Sequence, residues 1–405
     1  MQQFTNPRFV YHGEDALSTL KKLKGKKAMI CIGGGSIKRN GFLELIEKNL
    51  KEAGFVTKLF EGIESDPSVE TVNKGAAAFQ EFQPDWIVAV GGGSPIDAAK
   101  AMWVKYEYPD ITFEQMCTPF GLPEMRKKAR FCAIPTTSGT GTEVTAFAII
   151  TDYQKGIKYP MADFEITPDV AIVDPALVQK LPAKLVAFTG MDALTHNIEA
   201  YVSTAHSCYT DAMALHSIRM IQESLVYSYA GDPEARSAMH DAQCLAGIAF
   251  SSGLLGIVHS MAHKTGAAFK NGHIIHGAAN AMYLPKVIKF NAGRREIALR
   301  YAQIADAINL GGSTVCDKVD NLIGFCRRLN TELNIPMAIQ SYGEGGLKVE
   351  AGKGIVPEDE FQAKLSDIAA NALTDACTGC NPRPINQKQM EQMLKCCYYD
   401  EDVLF

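Results

Sequence analysis

Residues 86–100 read Trp86-Ile87-Val88-Ala89-Val90-Gly91-Gly92-Gly93-Ser94-Pro95-Ile96-Asp97-Ala98-Ala99-Lys100. Five apolar residues run without a break into three glycines, and a helical pattern follows. An uninterrupted apolar run of this length predicts a strand buried on both faces. Glycines let the backbone come close to a ligand. A helix starting there offers free N–H groups and a partial positive charge, which suit a pyrophosphate, and Pro95 fits its first turn. The spacing is not the Gly-x-Gly-x-x-Gly fingerprint, and a tight structural turn is the plainer reading of the same residues.

The pattern repeats on either side. Lys27–Ile32 is a short apolar run ending in Gly33-Gly34-Gly35-Ser36, and Phe131–Pro135 is another ending in Thr136-Thr137-Ser138-Gly139-Thr140-Gly141. Residues 42–53 have helical spacing with Phe42, Leu45, Ile46 and Leu50 on one face, and Gly54 stops them. Val56–Phe60 reads as a strand, Asp66-Pro67-Ser68 as a turn opening a helix to about Phe82, and Ala171–Pro175 as the last strand. Apolar strands that each end in a Gly/Ser/Thr loop predict βαβ units and a parallel sheet. From about Lys180 long helical patterns dominate. The expectation is an α/β dinucleotide-binding domain over residues 1–182 and a helical domain over 183–405.

Composition narrows the class. A chain of 405 residues suggests two or three domains at about 150 residues each. The 47% hydrophobic and 21% charged content excludes a disordered or collagen-like chain. A net charge of −5 argues against a nucleic-acid binder, and the basic run Lys21–Lys27 reads as a solvated helix end. Eleven scattered cysteines point to a reducing cytoplasm instead of a disulfide framework. Met1–Pro7 lacks the pattern of a signal peptide. The longest uncharged stretch, Ala242–Ala262, carries Gln243, Ser251-Ser252-Gly253 and His259, so it reads as a buried core helix and no membrane association is expected.

Three loops and one set of histidines carry chemistry. The loop with Gly92, Gly93 and Ser94 is the candidate phosphate cradle, and Pro135–Thr142 is a second candidate contact to a phosphate or nicotinamide. In Gly33-Gly34-Gly35-Ser36-Ile37-Lys38-Arg39 the strand ends in glycine where an NAD site usually places an acid. Gly34, Gly35, Ser36, Lys38 and Arg39 therefore favour NADP(H) over NAD(H). In Gly190-Met191-Asp192-Ala193-Leu194-Thr195-His196-Asn197-Ile198-Glu199 an acid and a histidine stand at i, i+4. His259 and His263 repeat that spacing, and His273 and His276 follow. One Asp with three His is a competent ligand set for Fe²⁺ or Zn²⁺. Cys377-Thr378-Gly379-Cys380 lacks a second CxxC, and with the adjacent Cys396-Cys397 it reads as structural. A Gly-x-Ser-x-Gly elbow and the kinase signature set are both missing.

Taken together, Gly91–Lys100, Pro135–Glu143, Gly190–Glu199 and the His259/His263/His276 run resemble the iron-containing (group III) alcohol dehydrogenases, closest to the butanol-dehydrogenase-like branch. The resemblance extends from about residue 5 past Asn381-Pro382-Arg383-Pro384. It implies a dehydroquinate synthase-like fold, with an α/β dinucleotide-binding domain, an all-helical metal-binding domain and an active site in the cleft between them. It implies Asp192, His196, His259 and His276 as ligands of one Fe²⁺ or Zn²⁺. About three extra residues near Lys270-Asn271-Gly272 leave His273 as the alternative fourth ligand or a neighbour of the site. His263 matches a non-ligand histidine that relays a proton or positions substrate. For the cofactor it implies Asp66, Gly93, Ser94, Asp97, Thr136, Thr137, Thr140, Lys158 and Leu177. The glycine at 33 and Gly35-Ser36 match NADPH-using members.

The implied reaction is hydride transfer between NADP(H) and a small primary alcohol or aldehyde such as butanol or butanal, in a homodimer or higher homo-oligomer. The alternatives on the same fold are a dehydrogenase of a diol, lactaldehyde or hydroxy acid, a dehydroquinate synthase-like lyase, and a non-catalytic assembly protein.

Overall fold

The computed structural model describes residues 3–154, 157–270 and 272–405. The chain divides into two compact units, Met1–Leu181 and Pro182–Phe405.

The first unit is built on strands β1 (Phe9–His12), β2 (Lys27–Ile32), β3 (Val56–Phe60), β4 (Trp86–Gly91), β5 (Arg130–Pro135), β6 (Phe147–Asp152), β7 (Ile157–Ala162) and β8 (Val170–Val173). Six of them form one sheet in the order β1-β8-β5-β4-β2-β3, with every neighbouring pair parallel. Helices α1 (Ser36–Arg39), α2 (Phe42–Glu52), α3 (Val69–Phe82), α4 (Gly93–Glu107) and α5 (Phe113–Met116) lie between the strands in sequence. The apolar runs are unbroken because both sheet faces are covered. Ala28, Ile30, Ile32, Trp86, Val88, Val90, Cys132 and Ile134 pack into one core. The alternate residues Met29, Cys31, Ile87, Ala89, Phe131 and Ala133 pack into the other.

Most expected elements of this unit are present within a residue or two. The buried face of α2 differs: it is Leu43, Ile46, Asn49 and Leu50, while Leu45 is exposed. Asn49 takes a buried place on that face by donating to the Leu17 carbonyl, while Leu45, about 100° round the helix from Ile46, faces solvent. Strand β1 and the antiparallel β6–β7 hairpin are additions to the expected set, although β6 carries the apolar run Phe147–Ile150. The register of the glycine loops is set by close packing. A Cβ on Gly91 or on Gly33 would lie 2.6 Å or 2.8 Å from the Pro95 ring. The ends of β2 and β4 thus close on the first turn of α4.

The second unit holds α6 (Ala183–Val202), α7 (Cys208–Ala230), α8 (Pro233–Gly253), α9 (Ile257–Thr265), α10 (His276–Asn291), α11 (Arg295–Ala307), α12 (Val315–Glu332), α13 (Glu358–Leu373) and α14 (Gln387–Tyr399), with no strand among the described residues. Ser207, Thr314 and Asn386 cap α7, α12 and α14 through side-chain bonds to the third helical N–H. The single core helix expected over Ala242–Ala262 is instead two helices, α8 and α9, meeting at 103°. Leu254 takes a left-handed φ of 60° at the break. Among the described residues no single helix is long and apolar enough to cross a membrane.

Helix α10 lies hard against α6. A Cβ on Gly277 would sit 2.1 Å from the Phe188 carbonyl oxygen, which is backbone and cannot swing away. Gly277→Ala must therefore push the two helices apart. Expect a loss of about 2 kcal/mol or more in denaturant unfolding; a wild-type midpoint would contradict this packing.

Candidate active site

Three helices of the second unit bring the acid and histidines together. Asp192 and His196 stand one turn apart on α6, both buried. His259 lies in α9 and His276 is the first residue of α10. Asp192 Oδ1 is 3.6 Å from Nε2 of His259, 3.6 Å from Nε2 of His276 and 3.9 Å from Nε2 of His196. The donor atoms of Asp192, His259 and His276 all fall within 4.8 Å of one another. Donors about 2.1 Å from a tetrahedral ion sit about 3.4 Å apart, so this spacing is only slightly wider than a divalent metal requires. His196 stands at the margin of the cluster, its ring stacked between Phe250 at 4.2 Å and His259 at 4.5 Å. The donor chemistry and spacing fit Fe²⁺ or Zn²⁺.

The electrostatics favour the ligand forms at two of these residues. Burial alone would raise the Asp192 pKa, but His196, His276 and His259 hold it well below the usual carboxylate range. Burial, together with the neighbouring imidazoles, pushes His276 well below the usual histidine range despite the attraction of Asp192, which leaves one ring nitrogen's lone pair available. At His259 burial pulls the other way and loses: Glu199 and Asp192 raise its pKa to about 9.

Glu199, quoted above in its motif without a role, organises the site. Its Oε2 lies 2.5 Å from His259 Nδ1, which keeps a proton on Nδ1 and directs Nε2 toward Asp192. Its Oε1 accepts the Val258 N–H at 2.8 Å in the first turn of α9. Gly256 makes room, since a Cβ there would fall 2.9 Å from Glu199 Oε1. The signal was in the sequence: Glu199 follows Asp192 by seven and His196 by three, on the same helical face.

His263 takes a different position. Its Nδ1 is 3.2 Å from Asp375 Oδ2 and its ring lies parallel to His276, 5.3 Å away. Burial would raise Asp375, yet His263 and Lys264 keep its carboxyl well below the ordinary range. His263, Asp375 and Cys377 also gather donor-type atoms. The Lys264 ammonium, 3.0 Å from Asp375, already supplies a cation there, and burial raises the Cys377 thiol well above its ordinary pKa. This group orients His263. His273, by contrast, is exposed in the loop before α10 and outside the cluster. Its neighbour Ile274 is buried and the Ile275 N–H is fixed to the Tyr342 hydroxyl, so the extended segment turns His273 outward. Of the Lys270-Asn271-Gly272 segment, Asn271 lies outside the described residues.

In the first unit several distant candidates converge. The Asp66 N–H donates to Ser94 Oγ at 3.3 Å, and Lys158 Nζ donates to Asp66 Oδ1 at 2.7 Å. Gly92 and Gly93 face Thr137 and Thr140, whose side chains lie 3.2 Å from where a Cβ would be, while the Thr136 N–H bonds to the Gly91 carbonyl. Gly34, Gly35, Ser36, Lys38 and Arg39 are exposed, and Lys38 is paired with Glu61. Two candidates serve the scaffold. Asp97 accepts from Thr142 Oγ1 at 2.6 Å and the Ile149 N–H at 3.1 Å, and Leu177 is buried in a sheet core. Lys100, fully buried, donates to the carbonyls of Thr142, Thr145 and Phe147, each at 2.8 Å, and pins the 142–147 segment that follows the second loop.

Comparison with known proteins places this geometry. The model of the iron-containing alcohol dehydrogenase family matches residues 7–175, and that of the family's C-terminal domain matches 186–398. The chain belongs to the iron-containing alcohol dehydrogenase family. It is 56% identical over 405 residues, the full length of both chains, to a protein of Clostridium saccharobutylicum described as an NADPH-dependent butanol dehydrogenase. It is 41% identical to the bifunctional aldehyde-alcohol dehydrogenase of Escherichia coli, aligning over 93% of this chain and 44% of that one. The solved iron-containing alcohol dehydrogenase of Thermococcus thioreducens superposes with a TM-score of 0.86 at 34% identity, over 99% of this chain and all of that one. A 1,3-propanediol oxidoreductase gives 0.86 at 30% identity, over 98% and 100%. This chain is therefore an enzyme with the two-part fold of that family.

Glu199→Gln keeps the shape beside His259 and removes the charge that fixes its tautomer. Metal retained after dialysis against a chelator should fall about tenfold or more. Unchanged retention would mean that Glu199 does not orient a ligand.

Proposed function

We propose that the enzyme transfers a hydride between NADP(H) and a small primary alcohol or aldehyde, butanol and butanal being the model pair. In this reading Asp192, His196, His259 and His276 hold one Fe²⁺ or Zn²⁺. Residues 1–182 bind the dinucleotide and residues 183–405 supply the metal centre. The observation that carries the proposal is the convergence of Asp192, His259 and His276 at near-ligand spacing. The cofactor reading is supported by the acid-free Gly33–Ser36 turn with Lys38 and Arg39 beside it, and by the NADPH dependence stated for the Clostridium saccharobutylicum relative. The Lys38–Glu61 pair is exposed and easily exchanged for a 2′-phosphate.

When bound, the metal supplies a Lewis acid for the substrate oxygen and the nicotinamide carries the hydride. The chain's own residues do the rest. The N–H groups of Gly93 and Ser94, at the start of the fifteen-residue α4, hold the diphosphate. Thr137 and Thr140 cover that turn, and Lys158, steadied by Asp66, adds a positive charge. Glu199 holds His259 in register. His263, with Nδ1 facing Asp375, presents Nε2 to hold or pass the proton that the alcohol loses or the aldehyde gains. A diol is the second reading, favoured by the likeness to 1,3-propanediol oxidoreductase.

Oxidation of NADPH with butanal, followed on metal-stripped protein before and after reloading with Fe²⁺ or Zn²⁺, tests the proposal. Turnover should return only with metal and should prefer NADPH to NADH. His196→Ala should lower both metal content and turnover by at least about a hundredfold. Turnover without metal would overturn the metal assignment; preference for NADH would overturn the reading of the Gly33–Arg39 loop.

A further inference from the structure

Asn280 lies one turn beyond His276 on α10 and is fully buried. Its Nδ2 donates to Asp192 Oδ1 at 2.7 Å and lies 3.2 Å from Nε2 of both His259 and His276. One nitrogen therefore touches the donor atoms of all three converging residues, which come from three different helices. Its Oδ1 is buried with no hydrogen-bond partner among the described residues. Packing does not account for this choice. A leucine of similar size would fill the space without stranding an amide oxygen, and asparagine is a weaker helix former than leucine.

We propose that Asn280 is a positioning residue of the metal centre, fixing the Asp192 carboxylate at the distance from His259 and His276 that a divalent ion needs. The proposal rests on the metal reading above. Rotation of a carboxylate about its last bond is soft and roughly two-fold, so burial alone does not decide which oxygen faces the imidazoles. The N–H of Asn280 decides it, by holding Oδ1 on the side where the imidazoles lie. Placed four residues after His276, Asn280 ties the rotation of Asp192 to α10, the helix that delivers His276.

The test uses the full-length metal-loaded enzyme and two variants, Asn280→Ala and Asn280→Leu. Leucine keeps the volume and removes only the donor, so it carries the test if the alanine variant does not fold. Metal affinity is measured by chelator competition, and the Co²⁺-substituted proteins are compared by visible absorption. A folded variant should bind Fe²⁺, Zn²⁺ and Co²⁺ about tenfold or more weakly and show altered Co²⁺ bands. A smaller loss, or tighter binding, with unchanged Co²⁺ bands overturns the role of Asn280. A parent enzyme that binds no metal at all would instead overturn the metal reading itself.

Discussion

The second unit is arranged around one expensive element, the buried carboxylate of Asp192. An ionised carboxylate out of water costs several kcal/mol unless charge and hydrogen bonds replace its hydration. Asp192 is 4% exposed, and its compensation comes from side chains on α6, α9 and α10. That requirement explains features otherwise unrelated in the sequence. Gly277 lets α10 approach α6, the break at Leu254 redirects the chain so that α9 presents His259, and Gly256 admits the Glu199 carboxylate behind it. Each is a local concession in helix propensity or backbone freedom that closes the same cluster.

The first unit meets a similar problem with the opposite charge. Lys100 is buried beneath a loop of hydroxyls and carbonyls, with Asp97 and Glu143 as the neighbouring acids, and burial draws its pKa down to about 8. Burial also raises Asp97, against the opposing pull of that lysine. The Gly/Ser/Thr loops above are polar and rich in glycine, so something beneath must hold them still. The motif that reads as a phosphate cradle is thus divided by depth. Gly92, Gly93 and Ser94 form the accessible turn, while Asp97 and Lys100, deeper along the helix, fasten the 142–149 segment that follows the second loop.

Much of this was legible in the residues. Runs such as Lys27–Ile32 and Trp86–Val90 announce strands because both faces are buried, and the i, i+4 spacings mark Asp192, His196, His259 and His263 as helix-borne. What stayed hidden depends on distance along the chain. Strand β1 is short and partly exposed, so nothing in its own residues declares the partner β8, which lies some 160 residues away. The convergence of Asp66, Ser94 and Lys158 is a tertiary fact, although the family resemblance had named all three. Asp375 lies far along the chain from the histidine motifs, and Asn280, one turn after His276, is an amide that a pattern of acids and histidines passes over. The helix over Ala242–Ala262 was misread because composition alone does not reveal a left-handed residue at Leu254. Leu177 and Asp97, implied as cofactor contacts, turn out to use their side chains within the scaffold.

The central claim is that Asp192 and three histidines form one divalent-metal site. Crystals of the iron-loaded enzyme, measured at the iron absorption edge, test it most directly. The account predicts a single anomalous peak about 2.1 Å from Asp192 Oδ1 and from Nε2 of His196, His259 and His276. A peak coordinated by His273 in place of His276, or one lying at His263, Asp375 and Cys377, would contradict it.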